Sequence, residues 1–397
     1  MTGLHPDADM EAQLERTING AYVGAADIGE ALATATGVAA ADYDGWFDAW
    51  AGAAARASEA GGRLLADGRT DLAARAYMRA AEYWRQSYFF LRQDLDDERV
   101  QTADAAQRDA FRAALPLMPV EVEAVSIPYE PVPMPGYLFR PKGSGSPRPT
   151  VLLPAGFDSN AEEAHKFGVY AGLALGWNVL AWDGPGQGAM LVQHRIPMRP
   201  DFENVVTPVV DWLVAQPYVD PQAIALVGRS LGGYLGARAA SSEKRIAALV
   251  VDPGQFDLVS NLRAPFNDDE WAKVLAGDEA MDAQLQTRLD GPRNRYFWGS
   301  RMVAMGVSTF GDWLRVLVSY TLEGRIDGIT CPTLITEGEG DFASQSDKLF
   351  EALSCPKELR KLSAKDGCAG HISGLGQQRW QQEAFGWLAS VLDTRPG

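Results

Sequence analysis

From about residue 120 onward, short apolar runs alternate with longer helical runs, and this alternation limits the folds open to the chain. The apolar runs include PTVLLPAG, NVLAWDG, AIALVG, IAALVVD and PTLITEG, and they show no apolar–polar alternation. Such runs are typical of strands buried on both faces of a sheet. Strands that alternate with helices predict right-handed crossovers. The sequence therefore predicts an α/β domain over residues 119–397, with a mostly parallel central sheet flanked by helices.

The first part of the chain has a different pattern. Residues 20–115 are rich in Ala, Arg and Glu, and apolar residues from Leu72 to Leu95 recur every three or four positions. That spacing predicts one helical face, with Thr70 as a suitable N-cap and Pro116 as the breaker that closes the region. We expect an all-helical domain over residues 1–118. A second helical stretch, about 255–328, interrupts the α/β pattern and is expected to be an insertion.

An aromatic cluster lies near the end of the predicted N-terminal helices: Tyr83, Trp84, Tyr88, Phe89 and Phe90. These rings could simply form core between helices. They could also line a pocket for a flat, apolar ligand, and for that role Trp84 and Tyr88 are the candidate substrate-binding residues.

Composition excludes several function classes. Asp and Glu number 52 against 36 Lys and Arg, giving a formal net charge of −16, which disfavours nucleic acid and anionic lipid as partners. Three scattered cysteines make neither a disulfide framework nor a zinc cluster, so no metal or other cofactor is expected. The polar, acidic start has no signal peptide, and no run is long enough to span a membrane. A cytoplasmic location is predicted.

The strongest motif is Gly228-Arg229-Ser230-Leu231-Gly232, which directly follows the apolar run AIALV and precedes a helical run. A Gly-x-Ser-x-Gly turn between a strand and a helix presents the serine hydroxyl at the edge of the sheet. We expect both glycines to be required because side chains two residues before and after the serine would collide. The motif predicts Ser230 as a nucleophile.

A serine hydroxyl needs a base to remove its proton, and the base is oriented by an acid. The order Ser, acid, His leaves His371 as the only one of the four histidines that follows an acid candidate. Asp341, in the loop after TLITEG, is the predicted acid. Asp252, which ends the preceding apolar run, is the alternative.

An oxyanion would need fixed N–H donors. The backbone N–H of Leu231 and that of Phe157, after the run PTVLLPAG, are predicted by their positions. The glycine-rich turn 183–188, DGPGQG, matches no phosphate-binding motif and is interpreted as a structural turn beside the site.

The segments VGRSLGG, WDGPGQG and AGFDS-x-x-EE together resemble the α/β-hydrolases related to 2,6-dihydroxypseudooxynicotine hydrolase, a group that includes FrsA-like esterases and fungal polyketide-shortening hydrolases. The resemblance covers nearly the whole chain. It implies an α/β-hydrolase fold whose N-terminal helical domain covers the active site, with Ser230, Asp341 and His371 as the catalytic residues. A glutamate of the nicotine-pathway enzyme falls on Asp158, which is one methylene shorter. Asp158 is therefore either a substrate-binding group, able to supply a proton, or the cap of a helix near Glu162.

These observations predict a serine-dependent hydrolase that cleaves a ketone carbon–carbon bond or an ester. The expected partner is a small substrate of aromatic or polyketide-like character, and a homodimer is allowed. Alternatives are a carboxylesterase, a biosynthetic cyclase, lyase or acyl transferase that uses the same cleft, and a non-catalytic binding protein on a hydrolase scaffold.

Overall fold

The computed structural model describes residues 3–143 and 145–393. Its N-terminal region consists of helices: α1 (Ala8–Ile18), α2 (Ile28–Ala35), α3 (Tyr43–Ala66), α4 (Thr70–Ser87) and α5 (Glu98–Ala114). Short 3-10 turns separate some of them, including Phe89–Leu91. Within the described ranges, no helix combines the length and the apolar character that crossing a membrane would require.

The rest of the chain alternates strands and helices. In order, it contains β1 (Glu121–Ile127), β2 (Met134–Arg140), β3 (Arg148–Pro154), α6 (Val169–Ala174), β4 (Asn178–Trp182), α7 (Gly188–Val192), α8 (Glu203–Val214), β5 (Val219–Arg229), α9 (Gly232–Ala240) and β6 (Ile246–Asp252). Five helices follow: α10 (Ser260–Arg263), α11 (Asp268–Ala276), α12 (Glu279–Gln286), α13 (Pro292–Ala304) and α14 (Phe310–Leu317). The chain then forms β7 (Thr333–Gly338), α15 (Ser346–Ala352), β8 (Lys357–Leu362) and α16 (Gln377–Leu392).

All eight strands form one sheet in the order β1-β2-β4-β3-β5-β6-β7-β8. The pairs β1–β2 and β2–β4 are antiparallel, and every other neighbouring pair is parallel. The predicted mostly parallel sheet is confirmed, and its architecture is the α/β-hydrolase fold. In a sheet of this kind, ligands bind outside the carboxyl ends of the parallel strands.

Alternate residues of the central strands face two separate cores. Leu152, Leu226 and Leu249 face the side covered by α8, α9 and helices α11 to α14. Val151, Val227 and Val250 face the other side, where their core is continuous with that of the N-terminal helices. The ring of Phe111 on α5 lies 4.8 Å from that of Tyr137 on β2. The N-terminal helices therefore pack directly on the sheet.

Two helix predictions differ from the structure. The periodic pattern predicted one helical face from Thr70 to Leu95, but α4 ends at Ser87 and a 3-10 turn follows. The helix expected near Glu162 is a 3-10 helix, Ala161–Lys166, which α6 follows. Between them Gly168 has φ 153°, a conformation that ends a helix and that side chains rarely adopt.

The turn between β5 and α9 is crowded by backbone atoms, but not at both glycines of the motif. A Cβ on Gly228 would lie 1.9 Å from the Gly232 carbonyl oxygen, so that glycine is required as predicted. At Gly232 a Cβ would meet nothing within 4 Å, so the predicted collision two residues after Ser230 is wrong. The crowded position is Gly233, where a Cβ would lie 2.0 Å from the Pro253 carbonyl oxygen.

The crowding predicts that an alanine at position 233 lowers stability strongly, whereas an alanine at position 232 has little effect. We expect Gly233→Ala to destabilise the protein by about 3 kcal/mol or more, because backbone rather than a flexible side chain occupies the space. Gly232→Ala is the matched control and should change stability by less than about 1 kcal/mol, since alanine favours a helix. Urea unfolding followed by circular dichroism measures both. Equal losses would show that the space around this turn is not as described.

Candidate active site

Three side chains from different loops meet at the carboxyl edge of the sheet. Ser230 follows β5, Asp341 follows β7 and His371 lies in the loop before α16. A hydrogen bond of 2.8 Å joins Ser230 Oγ and His371 Nε2, and another of 2.8 Å joins His371 Nδ1 and Asp341 Oδ1. This is the relative arrangement of a nucleophile, a base and an orienting acid.

Backbone donors fix the Asp341 carboxylate in place. Its Oδ1 also accepts from the Ala343 N–H at 2.9 Å, and its Oδ2 accepts from the Ile372 N–H at 2.9 Å. The His371 side chain is 26% exposed, and the Phe342 ring lies beside it with 4.8 Å between ring centroids. His371 Nδ1 therefore has Asp341 as a fixed partner, and Nε2 faces Ser230 at the cavity.

The alternative acid, Asp252, has different partners. Its Oδ2 accepts from Arg229 Nε at 3.1 Å and Nη2 at 2.7 Å, and its Oδ1 accepts from the Thr336 hydroxyl at 3.0 Å. Burial raises the pKa of Asp252, and the Arg229 guanidinium opposes that shift. Asp252 is thus the counter-ion of Arg229, and the carboxylate bonded to His371 is Asp341.

Arg229 connects the serine turn to the histidine loop. Its Nη2 donates to the Ile372 carbonyl at 2.7 Å and its Nη1 donates to Gln377 Oε1 at 2.5 Å. The guanidinium also lies over the Trp380 ring, 3.7 Å from the centroid. In the sequence Arg229 is only the variable residue of the motif, because its partners in the histidine loop and α16 lie more than a hundred residues away.

The two predicted oxyanion donors lie beside Ser230. Phe157 and Leu231 both line the cavity that contains the serine. Within the described residues, neither backbone N–H donates a hydrogen bond, so both are available to a ligand. Gln187 holds the Phe157 loop by donating to the Ala155 and Gly156 carbonyls at 2.5 and 3.0 Å. This contact agrees with the interpretation of 183–188 as a structural turn.

The serine opens into a cavity of about 740 Å³. Its walls come from α1, the pair Phe89 and Phe90, α13, α14 and the loops that follow the strands. Rings connect the walls: the centroids of Phe90 and Tyr296 are 4.8 Å apart, and those of Tyr43 and Phe90 are 4.7 Å apart. Residues of the N-terminal helices and of the 255–328 stretch therefore both line the cavity.

The aromatic residues that reach the cavity are not the two that were predicted. Phe89 and Phe90 line it, whereas Trp84 and Tyr88 do not. The Tyr88 hydroxyl donates to Gln107 Oε1 at 2.9 Å, and its ring packs in a separate cluster with Leu91 and Leu95. Tyr88 lies beyond the end of α4 at Ser87 and therefore does not continue the predicted helical face, whereas Trp84 lies within α4 and packs against buried apolar residues.

Asp158 lines the cavity and is not a helix cap. Asn160 caps the 3-10 helix by accepting from the Glu163 N–H. Asp158 Oδ1 lies 2.9 Å from Arg16 Nη1, and Oδ2 lies 3.8 Å from Arg92 Nη2. Burial opposes its ionisation, but the nearby guanidiniums outweigh burial and hold the pKa of Asp158 well below its usual range. This carboxylate is an anion at neutral pH, so the predicted ability to supply a proton is not supported.

No metal site is evident in the part of the chain that the structure describes. Among residues 3–143 and 145–393, no three His, Cys, Asp or Glu side chains form a group that could hold a metal ion.

Comparison with known protein families gives one match that covers most of the chain. A family model described as "Esterase FrsA-like" matches residues 43–296. This range contains helices α3 to α5 and strands β1 to β6, and it ends within α13. The hydrolase acrC of Aspergillus aculeatus is 31% identical over 428 aligned residues, which cover 100% of both chains. The 20-hydroxy-prefusarin hydrolase FUS2 of Gibberella moniliformis is 33% identical over 347 residues, which cover 83% of this chain and 82% of that one.

A solved structure is similar over nearly the whole chain. The crystal structure of 2,6-dihydroxy-pseudo-oxynicotine hydrolase superposes with a TM-score of 0.75 and 25% sequence identity, and the match covers 95% of each chain. The match therefore includes the N-terminal helices as well as the sheet.

The Asp252–Arg229 pair makes a prediction about stability. Asp252→Asn should lower the free energy of unfolding by about 3–5 kcal/mol, because it leaves a buried guanidinium without its counter-ion. Asp201→Asn is the matched control: Asp201 pairs with Arg199 at 2.6 Å with both side chains more than a third exposed, and such pairs contribute about 1 kcal/mol or less. Urea titration at neutral pH compares the two. A loss at Asp252 no larger than at Asp201 would refute the structural role.

Proposed function

The chain belongs to the FrsA-like esterase family of α/β-hydrolases, and from that membership we propose that it is a serine-dependent hydrolase of a carbonyl substrate, cleaving either a ketone carbon–carbon bond or an ester. The observation that carries the proposal is the pair of 2.8 Å hydrogen bonds from Ser230 to His371 and from His371 to Asp341. Both bonds lie at the wall of one large cavity.

In the first step, His371 Nε2 accepts the Ser230 proton while Oγ attacks the substrate carbonyl carbon. Asp341 holds the Nδ1 proton and stabilises the imidazolium that forms. The carbonyl oxygen becomes an oxyanion, and in this proposal the N–H groups of Phe157 and Leu231 stabilise it. Donors that are already oriented contribute strongly because no reorganisation is needed during the reaction.

The second step is departure of the leaving group. The protonated His371 donates its proton either to an ester oxygen or to the carbon that leaves a cleaved ketone. Water, activated by the same histidine, then hydrolyses the acyl-serine. His371 is the proposed donor in both reactions because Asp158 is held as an anion by its arginine partners.

Both helical regions are proposed to cover the site. Arg293 on α13 pairs with Asp9 on α1 at 2.5 Å, and the rings of Phe90 and Tyr296, which both line the cavity, lie 4.8 Å apart. A covered cavity excludes water, which strengthens hydrogen bonds to the oxyanion. The aromatic walls favour a flat or apolar acyl group of aromatic or polyketide-like type. The printed name of the relative FUS2, 20-hydroxy-prefusarin hydrolase, is consistent with a natural-product substrate.

We expect Ser230→Ala and His371→Ala each to lower kcat on an activated aryl ester by at least about 10³-fold, since each removes an essential group. Ser308→Ala and His194→Ala are matched controls because both residues are exposed and lie outside the cavity. Steady-state kinetics with purified variants measures the effect. Full activity in Ser230→Ala would contradict the proposal.

The choice between ester and ketone requires a separate measurement. A panel of aryl esters and aryl ketones of matched size, with products identified by mass spectrometry, compares the two reactions directly. Carbon–carbon cleavage is assigned if ketones give a carboxylic acid plus an arene. Hydrolysis of esters alone assigns a carboxylesterase.

A further inference from the structure

Arg301 places a guanidinium in the wall of the active-site cavity. It lies on α13, is only partly buried, and lines the same cavity as Ser230 and His371. Its Nη1 donates to the Phe297 carbonyl at 2.6 Å, and the group stacks on the Phe297 ring with 3.6 Å to the centroid. The guanidinium also lies 5.3 Å from the centroid of the Phe157 ring, so two aromatic residues neighbour it.

Arg301 differs from the other arginines of the cavity wall in its partners. Arg16 pairs with Asp158 and Glu163, and Arg229 pairs with Asp252. Among the residues that the structure describes, no carboxylate lies within 4.0 Å of the Arg301 guanidinium nitrogens. Its one hydrogen bond to a neutral carbonyl leaves most of its five donors unused.

The carboxylates nearest the cavity have partners of their own. Asp158 is shared by Arg16 and Arg92, Asp9 pairs with Arg293, and Asp257 pairs with Lys348. Glu11 and Glu15 also line the wall on α1, and Glu11 accepts from the Leu4 N–H at 2.9 Å. Asp158 and Asp9 attract the Arg301 guanidinium from a longer distance, but among the described residues both form their close ion pairs with other arginines.

A guanidinium that is partly removed from water and has no carboxylate in direct contact is costly. Burial lowers the pKa of Arg301 although Asp158 and Asp9 oppose the shift, and an anion bound in the cavity would oppose it further. Guanidinium groups bind carboxylates and similar planar oxygen anions through two parallel hydrogen bonds. Stacking on the Phe297 ring and the hydrogen bond to the Phe297 carbonyl restrict the guanidinium, and its remaining N–H groups are available to the cavity.

We propose that the cavity selects carbonyl substrates that carry an anionic oxygen group, a carboxylate or an ionised enol, and that Arg301 binds this group. This inference rests on the proposed function, because it names the substrate class of the same cavity. Arg301 would orient the far end of the substrate while its carbonyl lies at Ser230. The apolar walls would contact the chain or ring between these two points.

The test compares two eight-carbon esters, one that ends in a carboxylate and one that ends in a methyl group. The 4-nitrophenyl monoester of octanedioic acid carries a carboxylate, and 4-nitrophenyl octanoate does not. We expect Arg301→Gln to lower kcat/KM for the charged ester by roughly 10- to 100-fold and to change that of the neutral ester by less than about threefold. The exposed Arg295 on the same helix provides the matched control, Arg295→Gln, which should affect neither ester.

Two further measurements keep the result interpretable. Arg301→Lys retains the charge without the planar fork, and it should lose an intermediate amount of kcat/KM on the charged ester. This variant takes the place of Arg301→Gln if that variant fails to fold. Calorimetry with Ser230→Ala measures ligand binding without turnover, using octanedioate against 1,8-octanediol, and 4-hydroxy-6-methyl-2-pyrone against its methyl ether. Tighter binding of the anion of either pair, abolished by adding Arg301→Gln, supports the proposal and identifies which anion is preferred.

Equal losses on both esters in the Arg301 variants, or no preference for either anion in calorimetry, would overturn the proposal. Failure of the proposed function has a different signature: Ser230→Ala would then still hydrolyse both esters, whatever residue stands at 301.

Discussion

The Arg229 guanidinium joins four parts of the site in one buried group. It belongs to the end of β5, pairs with Asp252 at the end of β6, donates to the Ile372 carbonyl in the histidine loop and stacks on Trp380 of α16. A charged group with this many partners adopts one position, because losing any partner would leave a buried charge or carbonyl unsatisfied. The distance between Ser230 and His371 depends on this arrangement.

Two backbone segments at the site have unusual conformations. Ser230 has φ 56° and Ile372 has φ 47°, values that residues with a side chain rarely adopt. Such strain persists only where surrounding contacts determine the conformation. At Ser230 the N–H donates to the Asp252 carbonyl at 2.7 Å, and at Ile372 the N–H and carbonyl are bonded to Asp341 and Arg229. The strained segments present the hydroxyl and the imidazole to each other.

The sequence predicted the sheet, the serine turn and the three residues that meet at the sheet edge, because these depend on local patterns and on the order of residues along the chain. It failed where distant contacts decide. The pairing of Asp252 with Arg229 and of Asp158 with Arg16 spans many residues and leaves no periodic signal. Tyr88 was misplaced because a helical pattern does not mark where α4 ends, and Trp84 because the pattern does not show which residues of α4 reach the cavity.

The glycine motif shows the same limit on a smaller scale. Gly228 and Gly232 are equivalent in the motif, yet only Gly228 lies against backbone. The second crowded position is Gly233, because the Pro253 carbonyl approaches it from the end of another strand. Arg301 was not singled out either, because an isolated arginine in a helical stretch is usually solvated. Its position in the cavity wall follows only from the packing of α13 against α1 and the Phe157 loop.

The proposed reaction depends on His371 activating Ser230 as a nucleophile. Covalent labelling with a fluorophosphonate, followed by intact-mass analysis and peptide mapping, tests this activation without knowledge of the natural substrate. We expect one adduct per chain on Ser230, no adduct in Ser230→Ala, and much slower labelling in His371→Ala. Labelling that persists in Ser230→Ala, or an adduct on another residue, would contradict it.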